Sequence, residues 1–530
     1  MKNKNKQEQN TKPKTGQVQN TNLNRRTLLK AMAGIPVLGL LAYGASEKNA
    51  YNKNKSSRLI KELGLDDIEA PRIIKSRAGE GDLIRIGFIG FGNRANQLAR
   101  ALGFMDKATA RAQKENGRLQ HWMEQEYLNV EIVGICDVFD LHAENGLDIA
   151  KNGFRVNGQT GTDVPVKRYR TYQEMLADDS IDAVVVATPD HHHARITADG
   201  VRAGKHVYCE KSIALSEEEL NEVYNAVKNS DRVFQLGHQI TQNTVFQQAK
   251  EIIRKDILGK ITLVETTTNR NSASGAWIRH LDNNGNAKPG SLDTIDWVQW
   301  LGDRPKMPFT VDRFYNWTKF FDYDHGMLGQ LFSHEYDAVN QLLRIGIPHS
   351  AVSSGGIYFW KDNREIPDLL QSVFEYPDKE LTLMYSASLA SSRQRGRVFM
   401  GHDASMELGS SLKITADYDS TKYKQQIEEG LIDTNGPMLS VSPGSGIDAI
   451  TSPTEKYYAS RGLTDTYVNG RPVDVTHLHL KEWIDVIRHG GQVSDDIEKA
   501  YEEGITILMA HKSYVEKRRV EWDPVGRKIV

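Results

Sequence analysis

Leu83 to Ile89 (LIRIGFI) is a short apolar run that ends in Gly90-Phe91-Gly92-Asn93-Arg94-Ala95 and opens a helical stretch. A run of this length, rich in β-branched residues, reads as a buried parallel strand. Glycines in the turn let the chain reverse sharply, and backbone N–H groups can then approach a pyrophosphate at the helix N-terminus. Taken alone, such a turn is common. A second run, Glu131 to Cys136 (EIVGIC), ends in Asp137. A carboxylate there can accept hydrogen bonds from both adenosine ribose hydroxyls and would repel a 2′-phosphate. No Arg or Lys follows within Val138-Phe139-Asp140, so NAD is favoured over NADP. Asp137 lies 45 residues after Gly92, where about 20 is usual. The excess falls in 101–129, a polar, helical-looking stretch that reads as an insertion. The alternative role for Asp137 is a helix N-cap.

At 530 residues the chain is too long for one compact domain. Lys plus Arg is 67 and Asp plus Glu is 69, so the basic excess of a nucleic-acid protein is missing. Two cysteines, Cys136 and Cys209, exclude a disulfide scaffold and a four-cysteine zinc site. Both lie in strand-like apolar runs and read as small buried side chains.

Residues 1–24 are polar and cannot bury a core. Asn24-Arg25-Arg26-Thr27-Leu28-Leu29-Lys30 then precedes an apolar run from Ala31 to Ala45. That run is short for a bilayer span, which needs ~20 residues. A basic segment, a short apolar segment and small residues near Ala42 to Ser46 read as a signal peptide over 1–45, and the paired arginines as a twin-arginine type. The expected location is periplasmic or otherwise exported, with no stable membrane span after processing. Residues 46–81 read as a linker or arm. A nicotinamide pool is not expected outside the cytoplasmic membrane, so an exported dinucleotide enzyme should carry its cofactor with it.

Further along stand Ile181 to Ala187 (IDAVVVA), Thr188-Pro189-Asp190-His191-His192-His193, and Gly204-Lys205-His206-Val207-Tyr208-Cys209-Glu210-Lys211. Three adjacent histidines point different ways on an extended segment, so no metal site is expected from them. GFIGFGNRA, ICD, VVVATPDHHHA and AGKHVYCEKS, in this order, resemble the glucose–fructose oxidoreductase / inositol dehydrogenase (Gfo/Idh/MocA) family. The resemblance runs over roughly 82–530 and is strongest over 83–270 and 290–340. It implies an α/β chain: an N-terminal Rossmann domain, placed here at 82–237, and a C-terminal α/β domain with an open, mostly antiparallel sheet, placed at 238–530. The second domain carries substrate and often builds oligomers, so a homo-oligomer is expected. The resemblance puts Glu210 and Lys211 against the nicotinamide ring, with Lys211 near the reacting hydroxyl. The expected cofactor-binding set is Gly90, Phe91, Gly92, Asn93, Arg94, Asp137, Thr188, Pro189, His191, Glu210, Lys211 and Gln239. The family usually has proline after this lysine, often following a cis bond; this chain has Ser212. A cis bond before a non-proline residue costs ~3 kcal/mol, so the bond is either trans here or held cis by its surroundings.

Gly329 to Asp337 (GQLFSHEYD) lies in an apolar-periodic stretch that reaches Leu343. On a helix Gln330, His334 and Asp337 are spaced i, i+4, i+7 and share one face. This resembles the family's catalytic helix, with His334 at its histidine and Asp337 at the acid three residues later. Where the family commonly has a carboxylate, this chain has Gln330, an amide that cannot take a proton. Arg270, Trp277, Arg313 and Trp317 add aromatic faces interleaved with arginine, a pattern suited to stacking on and reading a sugar. The expected catalytic pair is Lys211 and His334. The expected substrate contacts are Lys211, Arg270, Trp277, Arg313, Trp317, Gln330, His334 and Asp337.

Three functions remain open on this reading. The first is hydride transfer between captive NAD and a sugar, cyclitol or glycoside hydroxyl. The second is redox-neutral glycoside cleavage through transient oxidation and elimination. The third is a non-catalytic dinucleotide- or sugar-binding protein, favoured by Gln330 and Ser212 and opposed by Lys211 and His334.

Overall fold

The computed structural model describes residues 55, 57–64, 81–273, 275–282, 284–441, 465–468 and 471–530. The signal-peptide reading and most of the linker reading lie outside these residues. The chain divides into two compact units, Met1–Asp67 and Ile68–Val530. In the first, residues 57–62 are helical. All that follows concerns the second.

Six strands form the first sheet: β1 (Ile84–Ile89), β2 (Val130–Cys136), β3 (Lys167–Tyr169), β4 (Ala183–Val186), β5 (His206–Cys209) and β6 (Phe234–Leu236). Their order is β3-β2-β1-β4-β5-β6 and every pairing is parallel. This is the doubly wound order, with its topological switch between β1 and β4. Both faces are covered, so the strands are apolar throughout: β4, AVVV, is wholly buried. The helices that bear on the site are α1 (Asn93–Ala101), α2 (Asp140–Asn152), α3 (His193–Arg202) and α4 (Glu217–Lys228). The long stretch before β2 is helical, as Lys107–Glu115 and Leu119–Met123. The helical look of 101–129 is thus borne out in these two segments.

After α5 (Thr244–Arg254), β7 (Ile261–Asn269) opens a ten-stranded sheet. It continues with β8 (Ser350–Gly356), β9 (Leu369–Tyr376), β10 (Leu381–Ser388), β11 (Arg397–Gly401), β12 (Ala404–Leu408), β13 (Leu412–Ala416) and β14 (Leu439–Val441). A hairpin of β15 (Asp465–Val468) and β16 (Arg471–Asp474) stands apart, and β17 (Val520–Asp523) and β18 (Lys528–Ile529) finish the large sheet. Its order is β14-β13-β12-β11-β7-β10-β9-β8-β17-β18. Only β7 with β10 is parallel; the other pairings are antiparallel. Strands β9 and β10 alternate buried and more exposed residues, the period-two signature of a sheet covered on one face. On the covered face lie α6 (Ser333–Leu343) and α8 (Ile497–Glu516). The α/β, two-sheet architecture is thus as expected.

The boundary at 237/238 needs correction. Helix α7 (Val475–His489) sends Leu480, Trp483 and Ile484 into one buried cluster with Ile84, Ile86, Phe88, Leu98 and Ile132 of the first sheet. Its apolar stripe fits the first lobe, so the chain returns to complete that core. The Rossmann lobe is therefore discontinuous, and 238–530 is not wholly the second domain.

Candidate functional site

A cleft of about 2590 Å³ runs along the carboxyl ends of the first sheet and is closed on its other side by α6 and the 269–317 region. The β1–α1 turn forms its floor. Gly90 has φ +82°, and a Cβ there would meet the Ala187 carbonyl oxygen at 2.8 Å. Only glycine fits that close approach. A Cβ at Gly92 would touch His142 at 3.8 Å, an ordinary contact, and Gly92 starts α1 without a side-chain cap. An uncapped helix start that lines the cleft suits a diphosphate. Asp137, at the tip of β2, accepts from Phe91 N at 2.5 Å and from Phe139 N at 2.8 Å, and it lines the cleft. The residues present therefore fit a dinucleotide. The N-cap alternative for Asp137 does not hold, because α2 is capped by Phe139 without a side-chain bond. Phe91 is fully buried against Phe88, so it can serve a cofactor only through its backbone.

Gly90, Gly92, Asn93, Arg94, Thr188, Pro189, His191, Glu210, Lys211 and Gln239 all line the cleft. Glu210 Oε1 accepts from Arg94 Nε at 2.8 Å and from Gln239 Nε2 at 3.4 Å. Those bonds fix the Glu210 carboxylate. The three histidines do not converge. His191 and His192 each bond the Trp300 carbonyl through Nε2 at 2.8 Å, while His193 bonds the Ser212 and Thr188 carbonyls. Burial, then each other's proximity, pushes His191 well below the usual histidine range, so it is a neutral donor to that carbonyl.

Lys211 reaches across to the other lobe. Its Nζ donates to Gly329 O and to Gln330 Oε1, both at 3.3 Å. The Lys211–Ser212 bond is cis. Gln330 sits in a π-helical turn, Leu328–Phe332, that runs straight into α6. Such turns are frequent at functional sites. The extra residue rotates the face, and this corrects the simple i, i+4, i+7 reading. Gln330 and His334 line the cleft, but Asp337 does not. Asp337 is buried beneath it, where Gln341 Nε2 donates to it at 3.3 Å.

Two buried polar clusters stand behind these residues. Gln330 Nε2 donates to Asp190 Oδ2 at 2.9 Å and to Asp324 Oδ1 at 3.2 Å. Burial raises both carboxyls; Asp324 rises far more because Asp190 lies beside it, while His193 and Lys211 offset part of the rise at Asp190. On the other side His334 Nδ1 lies 3.2 Å from His238 Nδ1, and His238 Nε2 lies 2.7 Å from Glu503 Oε2. Burial pushes His334 well below the usual range, helped by the charge on His238. Burial also opposes a charge on His238, but Glu503 and then Asp337 outweigh it and hold this imidazole up to about 9.

Arg270, Trp277 and Trp317 line the cleft as expected. The Arg270 guanidinium lies 5.5 Å from the Trp277 ring centroid, and that of Arg279 lies 5.6 Å from the Trp317 ring. Arg313 does not line it; its guanidinium sits 4.0 Å from the Phe320 ring and donates to Tyr323 Oη. Arginine spacing in a loop carries no information about which side of a short helix it takes. Trp297 and Trp300 stack on each other, centroids 4.4 Å apart, inside a core with Phe139 and Phe314. They are mainly packing residues, not an open sugar platform.

His238, Glu503, Asp190 and Asp324 were not singled out by sequence. Asp190 falls inside the VVVATPDHHHA motif and His238 follows the end of β6 by two residues, so both could have been found as polar residues just past strand ends. Glu503 and Asp324 carry no local signal.

Residues 84–238 match the model of the GFO_IDH_MocA family, described as an oxidoreductase family with an NAD-binding Rossmann fold. An uncharacterized oxidoreductase of Streptococcus pneumoniae serotype 4 is 30% identical over 141 residues, 26% of this chain and 38% of its own. A glycosyl hydrolase family 109 protein of Shewanella sp. strain ANA-3 is 26% identical over 246 residues, 45% of this chain and 44% of its own. A levoglucosan dehydrogenase of Pseudarthrobacter phenanthrenivorans is 26% identical over 195 residues, 35% and 41% of the two chains. The chain thus spans less than half the length of these curated relatives. A solved levoglucosan dehydrogenase in complex with NADH shares the fold at TM-score 0.55 and 15% identity, covering 83% of this chain and 99% of that one.

Proposed function

From the premise that this chain belongs, through residues 84–238, to the Gfo/Idh/MocA oxidoreductase family, we propose that it transfers a hydride between tightly held NAD and a sugar, cyclitol or glycoside hydroxyl. The observation that carries this is Lys211 and His334 lining one cleft from two lobes, with Lys211 bonded one helical turn before His334. Gly90, Gly92, Arg94, Asp137 and Glu210 would hold the dinucleotide, whose nicotinamide supplies the hydride acceptor when bound. His334 exchanges the hydroxyl proton. Lys211 hydrogen-bonds the same oxygen and stabilises alkoxide charge as it develops. Arg270, Trp277 and Trp317 orient the ring, the tryptophans by stacking on its C–H faces.

Redox-neutral glycoside cleavage is the second reading. The glycosyl hydrolase family 109 relatives favour it, at 23–26% identity over 45% of the chain. The proposed export by the twin-arginine route would fit it too, since a captive cofactor outside the cytoplasm is best regenerated within each turnover. Arg25-Arg26 and the apolar run to Ala45 support export. Val352 and Met384, exposed on the large sheet, support assembly into a homo-oligomer.

The test is incubation of the purified protein, with its copurified dinucleotide, with sugars, cyclitols and nitrophenyl glycosides. Reduced-nicotinamide absorbance that persists until an acceptor sugar is added indicates net oxidation. Nitrophenol release with no lasting absorbance change indicates redox-neutral cleavage. A flat trace across the panel with cofactor bound contradicts both and supports a binding protein. Periplasmic fractionation of the expressed full chain tests export, and light scattering tests assembly.

A further inference from the structure

A histidine that exchanges a proton with a substrate must have somewhere to send it. His334 lines the cleft, and its Nδ1 lies 3.2 Å from His238 Nδ1. The two rings meet edge to face, with centroids 5.0 Å apart and planes at 90°. His238 Nε2 in turn lies 2.7 Å from Glu503 Oε2 on α8. His238 and Glu503 are 1% and 2% exposed, so water does not compete along this line. Two ring nitrogens facing each other at this distance need one proton between them, since two lone pairs would repel and two N–H groups would clash. Which ring carries that proton decides the tautomer of His334.

Resting on the proposed hydride-transfer function, we infer that His238 and Glu503 form a buried proton relay that sets His334 to accept or to donate. In the accepting form His334 carries its proton on Nδ1 and donates it to His238 Nδ1. His238 then carries its own on Nε2, toward Glu503, and His334 Nε2 offers a lone pair. As a substrate O–H bond breaks, the proton forms an N–H bond at His334 Nε2. The His334 Nδ1 proton passes to His238 Nδ1, so His238 becomes an imidazolium beside the Glu503 carboxylate. One proton has left the substrate and one has been gained by the relay; the carbinol hydride leaves separately, as in the proposed reaction. Reduction runs the same shifts backwards. A protein that oxidises and later reduces one bound sugar can therefore keep the proton between the two half-reactions.

The surroundings favour the loaded relay. Facing His238 are Glu503 from α8, Asp495 just before it, and Asp337 from α6. Lys211, Arg94 and Arg397 bear on His334 and oppose a charge there. The positive charge therefore settles on His238, which stays protonated up to a pH of about 9. His238 and Glu503 act through His334 and are positioning residues.

The test is nitrogen NMR of the full-length protein with its copurified dinucleotide, labelled on histidine and titrated with alkali. His334→Asn and His238→Asn variants assign the signals. Below a pH of about 9 the relay predicts His334 protonated on Nε2 and bare on Nδ1; above it the two nitrogens exchange roles. Glu503→Gln should lower the midpoint of that exchange by about one to two pH units. Asp337→Asn should lower it less. Titration of His238 with the His334 tautomer unmoved would overturn the relay, as would an unchanged midpoint in Glu503→Gln. If Glu503→Gln does not fold, the unmutated titration decides alone. The exchange seen without oxidation of any sugar would strike the proposed function and leave the relay standing. Sugar oxidation without the exchange would strike only the relay.

Discussion

Two buried polar clusters flank the cleft, and they differ in whether a proton can pass through them. Behind Lys211 stand Asp190 and Asp324, bridged by the Gln330 amide at 2.9 and 3.2 Å. An amide bonds both carboxyls and the lysine but cannot carry a proton from one to the other. Behind His334 stand His238 and Glu503, each able to take and release one. The difference separates the roles proposed for the two side chains. Lys211 is held by a fixed scaffold, which suits supplying charge; His334 abuts a titratable chain, which suits proton exchange.

The largest effects should come from removing the two groups in the cleft. His334→Ala should lower kcat by ~10²–10⁴, and Lys211→Ala by ~10²–10³, with dinucleotide still bound by absorbance in both. Full activity in either variant would dissolve the division of roles. Next comes the wired side. The His238 imidazole is raised from its ordinary range to about 9. Its contribution to stability is therefore fully present below a pH of about 6.5 and lost as pH rises through about 9. Urea unfolding of the unmutated chain and Glu503→Gln should differ by roughly 1.4–2.7 kcal/mol near pH 6, the one- to two-unit shift converted at ~1.4 kcal/mol per unit, converging above that window. A gap independent of pH would deny the charge on His238.

Gln330→Glu sharpens the contrast from the fixed side. A third carboxyl placed between Asp190 and Asp324 must stay protonated. Stability should match the unmutated chain near pH 4 and fall by ~1–3 kcal/mol as pH rises past it. Equal stability at neutral pH would show that the acid pair is not the closed scaffold described. The smallest effect belongs to the cofactor edge. Asp137→Ala should weaken NAD retention by about tenfold, measured as dinucleotide lost on gel filtration, since it removes one charged hydrogen-bond acceptor for the ribose. Unchanged retention would free Asp137 from that role.

How readable each region is from sequence follows from how it is built. The Rossmann motifs are contiguous because strand, turn and helix start are local structures; GFIGFGNRA places a glycine where a Cβ would strike Ala187. Glu210 and Lys211 stand just past the end of β5, and their place facing the cofactor was implied by the family resemblance of AGKHVYCEKS. His334 and Gln330 were legible as a helical pair, but the π turn that carries Gln330 has no sequence signature, and spacing does not say that Asp337 lies below the cleft. Glu503 reaches His238 across 265 residues, and only the packing of α8 brings them together. The boundary error had a similar source. Leu480, Trp483 and Ile484 form an ordinary apolar helical stripe, and nothing local says which lobe it will cover.

The most direct test of the two-lobe site is a rapid-mixing comparison of NAD-loaded unmutated protein and His334→Ala with a sugar or glycoside that the panel shows to be oxidised. The account predicts reduced nicotinamide in the first mixing phase of the unmutated protein, with an amplitude that grows as pH rises toward about 9 and the relay empties. In His334→Ala that phase should be slowed at least ~100-fold and lose its pH dependence. Equal, pH-independent phases in both proteins would contradict it.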